Sequence, residues 1–302
     1  MLKLTNKQIS FIIDLSLVFA FVLFHITNTA HFKDDAYKIT QAAAKPIDSK
    51  QLEKTSGAKM KPDQTTLQDV SGKLQPLKLS QVQSVPILYY HSIAVRLGNE
   101  VCMSPNKFQQ QMTYLSEHGY HVISMDELYQ GLYNSKPFPS KPVVITFDDG
   151  YSDNFTNAYP IMQKYGFAAT VFVISSYINE SAALSAEQLK KLQNARWIIG
   201  EHTENHTDLT KLSSTQVVAE LQRSRKAIEA ITGKPLNYFA YPYGEYNTQV
   251  MNEVQKVGYS LAFTTDRGWV SKKSNPLAMH RVYCYASMSM DEFVRRVSNP
   301  NY

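Results

Sequence analysis

A chain of 302 residues, 43% hydrophobic and 12% aromatic, can hold one domain of roughly 200–220 residues with a core of its own and a shorter segment outside it. Its net charge of +5 is spread along the chain, and no Lys/Arg block interleaves with aromatics, which argues against a nucleic-acid partner. The two cysteines, Cys102 and Cys284, sit in no CxxC spacing, which excludes a thiolate metal site; they are read as two separately buried thiols, with a disulfide as the alternative if the ends of the domain meet.

The first element in chain order is the run ISFIIDLSLVFAFVLFHI, Ile9 to Ile26, behind Lys3 and Lys7. A positive flank followed by an apolar stretch of this length matches the ~17–25 residues a membrane-spanning helix needs. A cleavage site wants small residues at both −3 and −1, and Asn28-Thr29-Ala30 offers only the second. Residues 1–30 are therefore expected to form an uncleaved signal anchor. It would place the protein at the cell membrane as a single-pass chain with its remainder extracellular; cleavage would leave it secreted. Residues 31–84, with stretches such as KPIDSKQLEKTSGAKMKPDQTTLQDVSGK, sustain no helical or strand period. They are expected to be a disordered, polar linker.

From Val85 the pattern changes. VPILYYHSI reads as a buried strand, and Ser104-Pro105 opens a helix that runs to about Gly119. A strand over Pro142–Phe147 ends in Asp148-Asp149-Gly150. Helix, strand and helix follow at Asn157–Gly166, Ala169–Ile174 and Ala186–Gln193. RWIIG is a further strand leading into a His-rich loop. Ser213 caps a long helix with Val217, Val218, Leu221, Ile228 and Ile231 at helical spacing, closed by Gly233. Strands near Tyr238–Ala240 and Ser260–Thr264 flank a helix that Gly258 ends. This alternation predicts an α/β fold, a parallel sheet closed or nearly closed into a β/α barrel, with chemistry at the C-terminal ends of its strands.

Four polar clusters follow predicted strands: His91, Asp148-Asp149, His202 with His206, and Tyr241-Pro242-Tyr243-Gly244. His202 and His206 stand three residues apart, a spacing that predicts both imidazoles on one side of a helical turn. By itself H-x3-H more often marks two polar loop histidines. With a carboxylate from a neighbouring strand end, however, two neutral imidazoles make an open site for a divalent metal such as zinc. The Asp148-Asp149 pair supplies that carboxylate. Two adjacent acids on an extended strand point to opposite sides, so one can ligate an ion while the other serves as a general base. Gly150 permits the turn that follows. The 19 tyrosines suit sugar surfaces, with an apolar ring and a polar tip, and equally suit an ordinary core.

TFDDG, HTENH and YPYG, in this order and spacing, resemble the NodB-homology polysaccharide deacetylases, carbohydrate esterase family 4. The resemblance covers 85–302, with core motifs in 141–302. It implies a distorted β/α barrel that removes N-acetyl groups from an amino-sugar polysaccharide such as poly-N-acetylglucosamine or peptidoglycan. It further implies Asp148 as general base, Asp149, His202 and His206 as ligands of a divalent ion (Zn2+, or Co2+ or Ni2+), and the Tyr243 backbone N–H as oxyanion donor. Two departures stand out. Many members carry an Arg two residues before the motif proline that pairs with the catalytic Asp. That position is Ala240 here, so Asp148 must be tuned from elsewhere or more weakly. The family's acid histidine sits in an L-x-x-H segment, and two fit: Leu88 to His91 and Leu277 to His280. His91 is preferred, because it ends a clean apolar strand and because an early YYH resembles the poly-N-acetylglucosamine deacetylase branch. His280 is the alternative acid. Asp266 and Trp269 fit the family's Asp-and-Trp motif only loosely, and Trp269 is read as a core residue. Two other readings remain: an O-acetyl xylan-type esterase using the same groups, and a catalytically weak glycan-binding module.

Overall fold

The computed structural model describes residues 84–302. The apolar run Ile9–Ile26 and the polar segment after it lie outside the described residues.

In chain order the described elements are β1 (Ile87–Tyr90), α1 (Pro105–Glu117), β2 (His121–Val122), α2 (Met125–Tyr133), β3 (Pro142–Phe147), a π-helical turn (Asn154–Ala158) leading into α3 (Tyr159–Gln163), and β4 (Thr170–Val173). Then come α4 (Ala186–Asn194), β5 (Ile198–Glu201), α5 (Ser214–Thr232), β6 (Tyr238–Ala240), α6 (Thr248–Val257), β7 (Leu261–Arg267), β8 (Met279–Tyr283) and α7 (Met290–Ser298). Every strand pairing is parallel. The order β1-β8-β7-β6-β5-β4-β3, with β1 also paired to β3, closes a ring of seven strands. β2 stays outside the ring, beside the first two residues of β3. The expected β/α barrel is therefore present.

The helix boundaries follow from local chemistry. Ser104, Ser124, Ser185, Ser213 and Ser289 each precede a helix and accept a hydrogen bond from the backbone three residues on, a cap worth about 1 kcal/mol. α5 ends at Gly233 and α6 at Gly258, both left-handed. Four elements were not anticipated from the sequence. β2 has only two residues. α2 and α7 are short helices opened by serine caps. β8 reads MHRVY, and the His and Arg break the apolar run by which a buried strand is recognised. The predicted helix Asn157–Gly166 forms instead as a π turn with a short α segment.

The alternation of side chains along the strands divides the core in two. Leu88, Ile145, Val171, Phe239 and Val282 face the helical layer and belong to the larger cluster. Ile87, Val144, Phe172, Tyr238, Ala240, Leu261, Phe263 and Met279 form the second cluster, which fills the ring. Phe172 lies where any side chain on Gly200 would stand, so a glycine there makes room for the ring at the barrel centre. Counting upward in twos from these positions gives Tyr89 and His91 on β1, Thr146 and Asp148 on β3, His202 on β5 and Arg281 on β8. Polar chemistry thus replaces apolar filling on the same face, at one end of the barrel.

Candidate active site

Asp148 follows β3 and is 2% exposed. Its two oxygens accept hydrogen bonds from Arg281, Nη1 to Oδ1 at 2.8 Å and Nη2 to Oδ2 at 2.7 Å. Arg281 is fully buried. Its Nε donates to the Thr264 carbonyl at 2.9 Å, and its guanidinium lies 4.3 Å from the Tyr89 ring centre and 5.8 Å from that of Phe172. Burial alone would raise the Asp148 pKa, but the charge and hydrogen bonds of Arg281 hold it below the usual carboxylate range. A two-pronged guanidinium on a carboxylate also fixes the plane of the acid. The partner that Ala240 cannot provide therefore comes from β8, which reaches β3 across β1.

Asp149 would point away from Asp148 if the strand continued. Its φ of 69° swings it back over the strand ends. Its Oδ1 lies 3.4 Å from Nε2 of His202 and 3.4 Å from Nε2 of His206. The three ligand atoms lie within 4.8 Å of one another. The His202 Nδ1 lies 2.7 Å from the Ala240 carbonyl. That contact sets the tautomer, because Nδ1 donates there and leaves Nε2 free to ligate. The segment that carries both histidines is a loop, which corrects the expected helical turn. Thr203 at φ 66° and His206 at φ 56° turn the chain so that the imidazoles converge. Burial and the neighbouring His202 push the His206 pKa down to about 4, so its ring is neutral at physiological pH and available as a ligand.

Asp149, Thr203, His206 and Tyr243 all adopt left-handed backbone without being glycine, at a cost of order 1–3 kcal/mol each. The rest of the barrel stabilises this strain, and all four lie in the strand-end loops of one site. Tyr243, at φ 61°, is 62% exposed and meets the His206 ring edge-on at 4.5 Å between centres. Next to it Gly244 packs so closely on Thr265 that no side chain fits, which fixes the turn beside the two histidines.

His91 ends β1 and packs edge-on against Tyr89 and Tyr283, at 5.9 and 6.1 Å between ring centres. Its Nδ1 is buried with no hydrogen-bond partner among the described residues. Burial lowers its pKa, although the nearby charges of Asp148 and Asp149 oppose that shift. Its backbone is pinned by residues that the sequence reading did not single out. Asn154 Nδ2 donates to the His91 carbonyl at 2.7 Å. Asp153 accepts from the Ser92 hydroxyl at 2.6 Å and from the Ile93 N–H at 2.8 Å. The other L-x-x-H histidine, His280, is exposed and alternates away from the barrel interior, one residue from Arg281. The structure therefore gathers His91, Asp148, Asp149, His202 and His206 and leaves His280 outside. Trp269 is half-buried at the edge of the core, with its indole N–H donated to the Arg296 carbonyl at 3.0 Å. Cys102 and Cys284 are both buried and unbridged.

A divalent ion fits the donor set. Asp149 Oδ1 is buried without a hydrogen-bond donor, and two imidazole nitrogens flank it. Two nitrogens and one oxygen with room for further ligands suit zinc or a similar borderline ion.

Residues 135–262 match the family described as Polysaccharide deacetylase. That stretch contains Asp148, Asp149, His202, His206 and Tyr243, while His91 precedes it and Arg281 follows it. The polysaccharide deacetylase homologue YxkH of Bacillus subtilis is 34% identical over 217 residues, 72% of this chain and 77% of its own. A poly-beta-1,6-N-acetyl-D-glucosamine N-deacetylase of Staphylococcus aureus is 28% identical over 211 residues, 65% of this chain and 71% of its own. Among solved structures, the Streptococcus pyogenes deacetylase PplD, in complex with acetate, superposes with a TM-score of 0.68 at 29% identity, covering 72% of this chain and 99% of that one.

Proposed function

Since this chain belongs to the polysaccharide deacetylase family, we propose that it hydrolyses N-acetyl groups on an amino-sugar polymer of the poly-N-acetylglucosamine or peptidoglycan type, using a divalent ion held by Asp149, His202 and His206. One observation carries this reading: a buried, Arg-paired carboxylate and a half-buried histidine with a buried, unpartnered Nδ1 stand beside an Asp-His-His cluster at one end of the barrel.

The ion, when bound, polarises the acetyl carbonyl and eases deprotonation of the attacking water. Asp148, held ionised by Arg281, accepts the water proton. In this reading the backbone N–H of Tyr243 donates to the oxygen on which negative charge develops. His91 gives a proton to the departing sugar nitrogen, so the amine leaves neutral and acetate is the second product. Burial weakens the hold of His91 on its proton, which favours transfer to a basic amine. It also means that turnover falls as pH rises and this ring empties.

The apolar run Ile9–Ile26 supports a membrane-anchored enzyme acting on surface glycan, with 31–84 as its tether and 85–302 as the catalytic part. Converting N-acetyl to ammonium groups would make the polymer cationic and help it adhere to an anionic envelope.

The test is acetate release by the full chain from poly-N-acetylglucosamine, peptidoglycan and acetylated xylan, with and without chelator. Chelator-sensitive release from an amino-sugar polymer, restored by Zn2+, is expected. Release from xylan alone would move the protein to ester hydrolysis, and binding without release on all three would make it a glycan-binding module. The acid is tested by a pair of variants: His91→Ala is expected to lose roughly 10²-fold or more in turnover and His280→Ala to stay within about twofold. The reverse pattern would reassign the acid to His280.

A further inference from the structure

A cavity of about 630 Å³ opens beside the three-ligand cluster, bordered by Asp149 and His206 on one side and by the loop between β4 and α4 on the other. Its volume falls within the ~300–1,000 Å³ of ordinary ligand sites. Tyr151, Ile174, Ala182 and Ala183 give it an apolar lining, and Tyr177, 47% exposed, presents a ring at its rim. Away from the cluster one charged side chain lines it, Glu180, and no Lys or Arg does. Among the described residues Glu180 forms no ion pair, and Arg223, on α5, is engaged by Glu204 and Glu220.

The loop that carries Glu180 is tied on both sides to the loops that carry the ligands. Ser175 and Ser176 N–H groups donate to the carbonyls of Thr203 and Glu204 at 3.1 and 3.0 Å, and Leu184 N–H donates to the Gly150 carbonyl at 2.8 Å. Ser152 N–H donates to the Ala182 carbonyl at 2.9 Å, and Tyr151 and Ala183 bridge as antiparallel partners. Glu180 is itself held in a turn, its N–H bonded to the Tyr177 carbonyl and its carbonyl to the Ala183 N–H. The backbone that carries this exposed carboxylate is thus held at the wall of a part-apolar cavity that Asp149 and His206 also line.

Resting on the deacetylase reading above, we propose that this cavity is a subsite for a neighbouring sugar unit whose nitrogen is already a free ammonium. Tyr177 supplies the ring face for the pyranose, and Glu180 supplies the counter-charge for the amine. An acetamide is neutral and gains nothing from Glu180, whereas the product of the reaction is a cation. The enzyme would therefore act faster on chains that it has begun to deacetylate. An ion pair at a solvent-open site contributes at most about 1 kcal/mol, which corresponds to roughly two- to fivefold in affinity.

The test uses the full chain and two β-1,6-linked glucosamine pentamers, one fully N-acetylated and one with a single free amine beside an acetylated unit. The expected kcat/KM ratio is roughly two- to fivefold in favour of the amine-bearing oligomer, falling with added salt. Glu180→Gln is expected to bring that ratio to about one, while Tyr177→Ala weakens both oligomers alike and preserves it. Equal turnover of the two oligomers by the unmodified protein, or a preference that survives Glu180→Gln, would overturn the subsite. The same comparison by calorimetric titration of both oligomers onto the chelated protein needs no turnover. A preference seen there, alongside zero acetate release from either oligomer by the Zn2+-loaded full chain, would uphold the subsite and remove the deacetylase reading.

Discussion

Asp148→Asn is expected to lower turnover by roughly 10²–10⁴-fold, the usual contribution of a positioned general base, while ion content stays near that of the unmodified protein. The separation follows from the geometry. Asp149, not Asp148, lies against the two histidines, and Asp148 spends both oxygens on Arg281. The amide keeps one acceptor for Arg281 but cannot take up a proton. Some stability is lost as well, because a fully buried guanidinium then faces a neutral partner. Thermal unfolding measured on the same sample separates that loss from the chemical one. A variant with intact fold, full ion content and unchanged acetate release would remove Asp148 from the base role. Loss of the ion itself would show that the two aspartates share the ligand task.

Arg281→Met is expected to cost about 3–5 kcal/mol of stability, the range for breaking a buried pair from one side, and to move the acid limb of turnover to higher pH. In the folded protein Arg281 holds the Asp148 pKa below its ordinary value. The stabilisation from Asp148 is therefore fully present above the ordinary carboxylate range and is lost as pH falls through the lowered folded value. Without the guanidinium, burial acts unopposed, so the carboxyl keeps its proton to higher pH and the base is lost from the acid side first. Arg281→Lys separates charge from geometry. A lysine restores the charge but not the two-pronged contact or the stacking against Tyr89, so part of the pH shift should be rescued and part of the rate should not. An Arg281→Met protein with unaltered melting temperature and pH profile would show that the pairing does nothing for the site.

The sequence determined by itself what depends on neighbouring residues. Serine caps and left-handed glycines set helix ends such as those of α5, apolar runs set β1 and β3, and their alternation set the parallel β/α class, because these signals act over a few residues. The same short range made Asp148-Asp149 and the His202 and His206 pair legible, since each motif lies within one strand end or loop. The difference in burial between the two L-x-x-H histidines was also readable, because His91 follows an uninterrupted apolar run and His280 does not. The partner of Asp148 was decided only in the closed ring. Arg281 is 133 residues away along the chain and reaches Asp148 because β8 closes the barrel against β1, which pairs with β3. A lone arginine at a period-two position of MHRVY was the available signal, and it was masked because a charged residue reads as exposed unless its counter-charge is known. Asp153 and Asn154, which pin the His91 backbone, were hidden in the same way, as polar residues in what reads as a solvated turn. The convergence of His202 and His206 likewise came from left-handed backbone at Thr203 and His206, a strained conformation that no local propensity favours and that the surrounding barrel must impose. Local chemistry thus fixes which groups are present and which element each one ends, while closure of the seven-stranded ring fixes which of them meet, because it joins strands too distant in sequence for any local signal to couple.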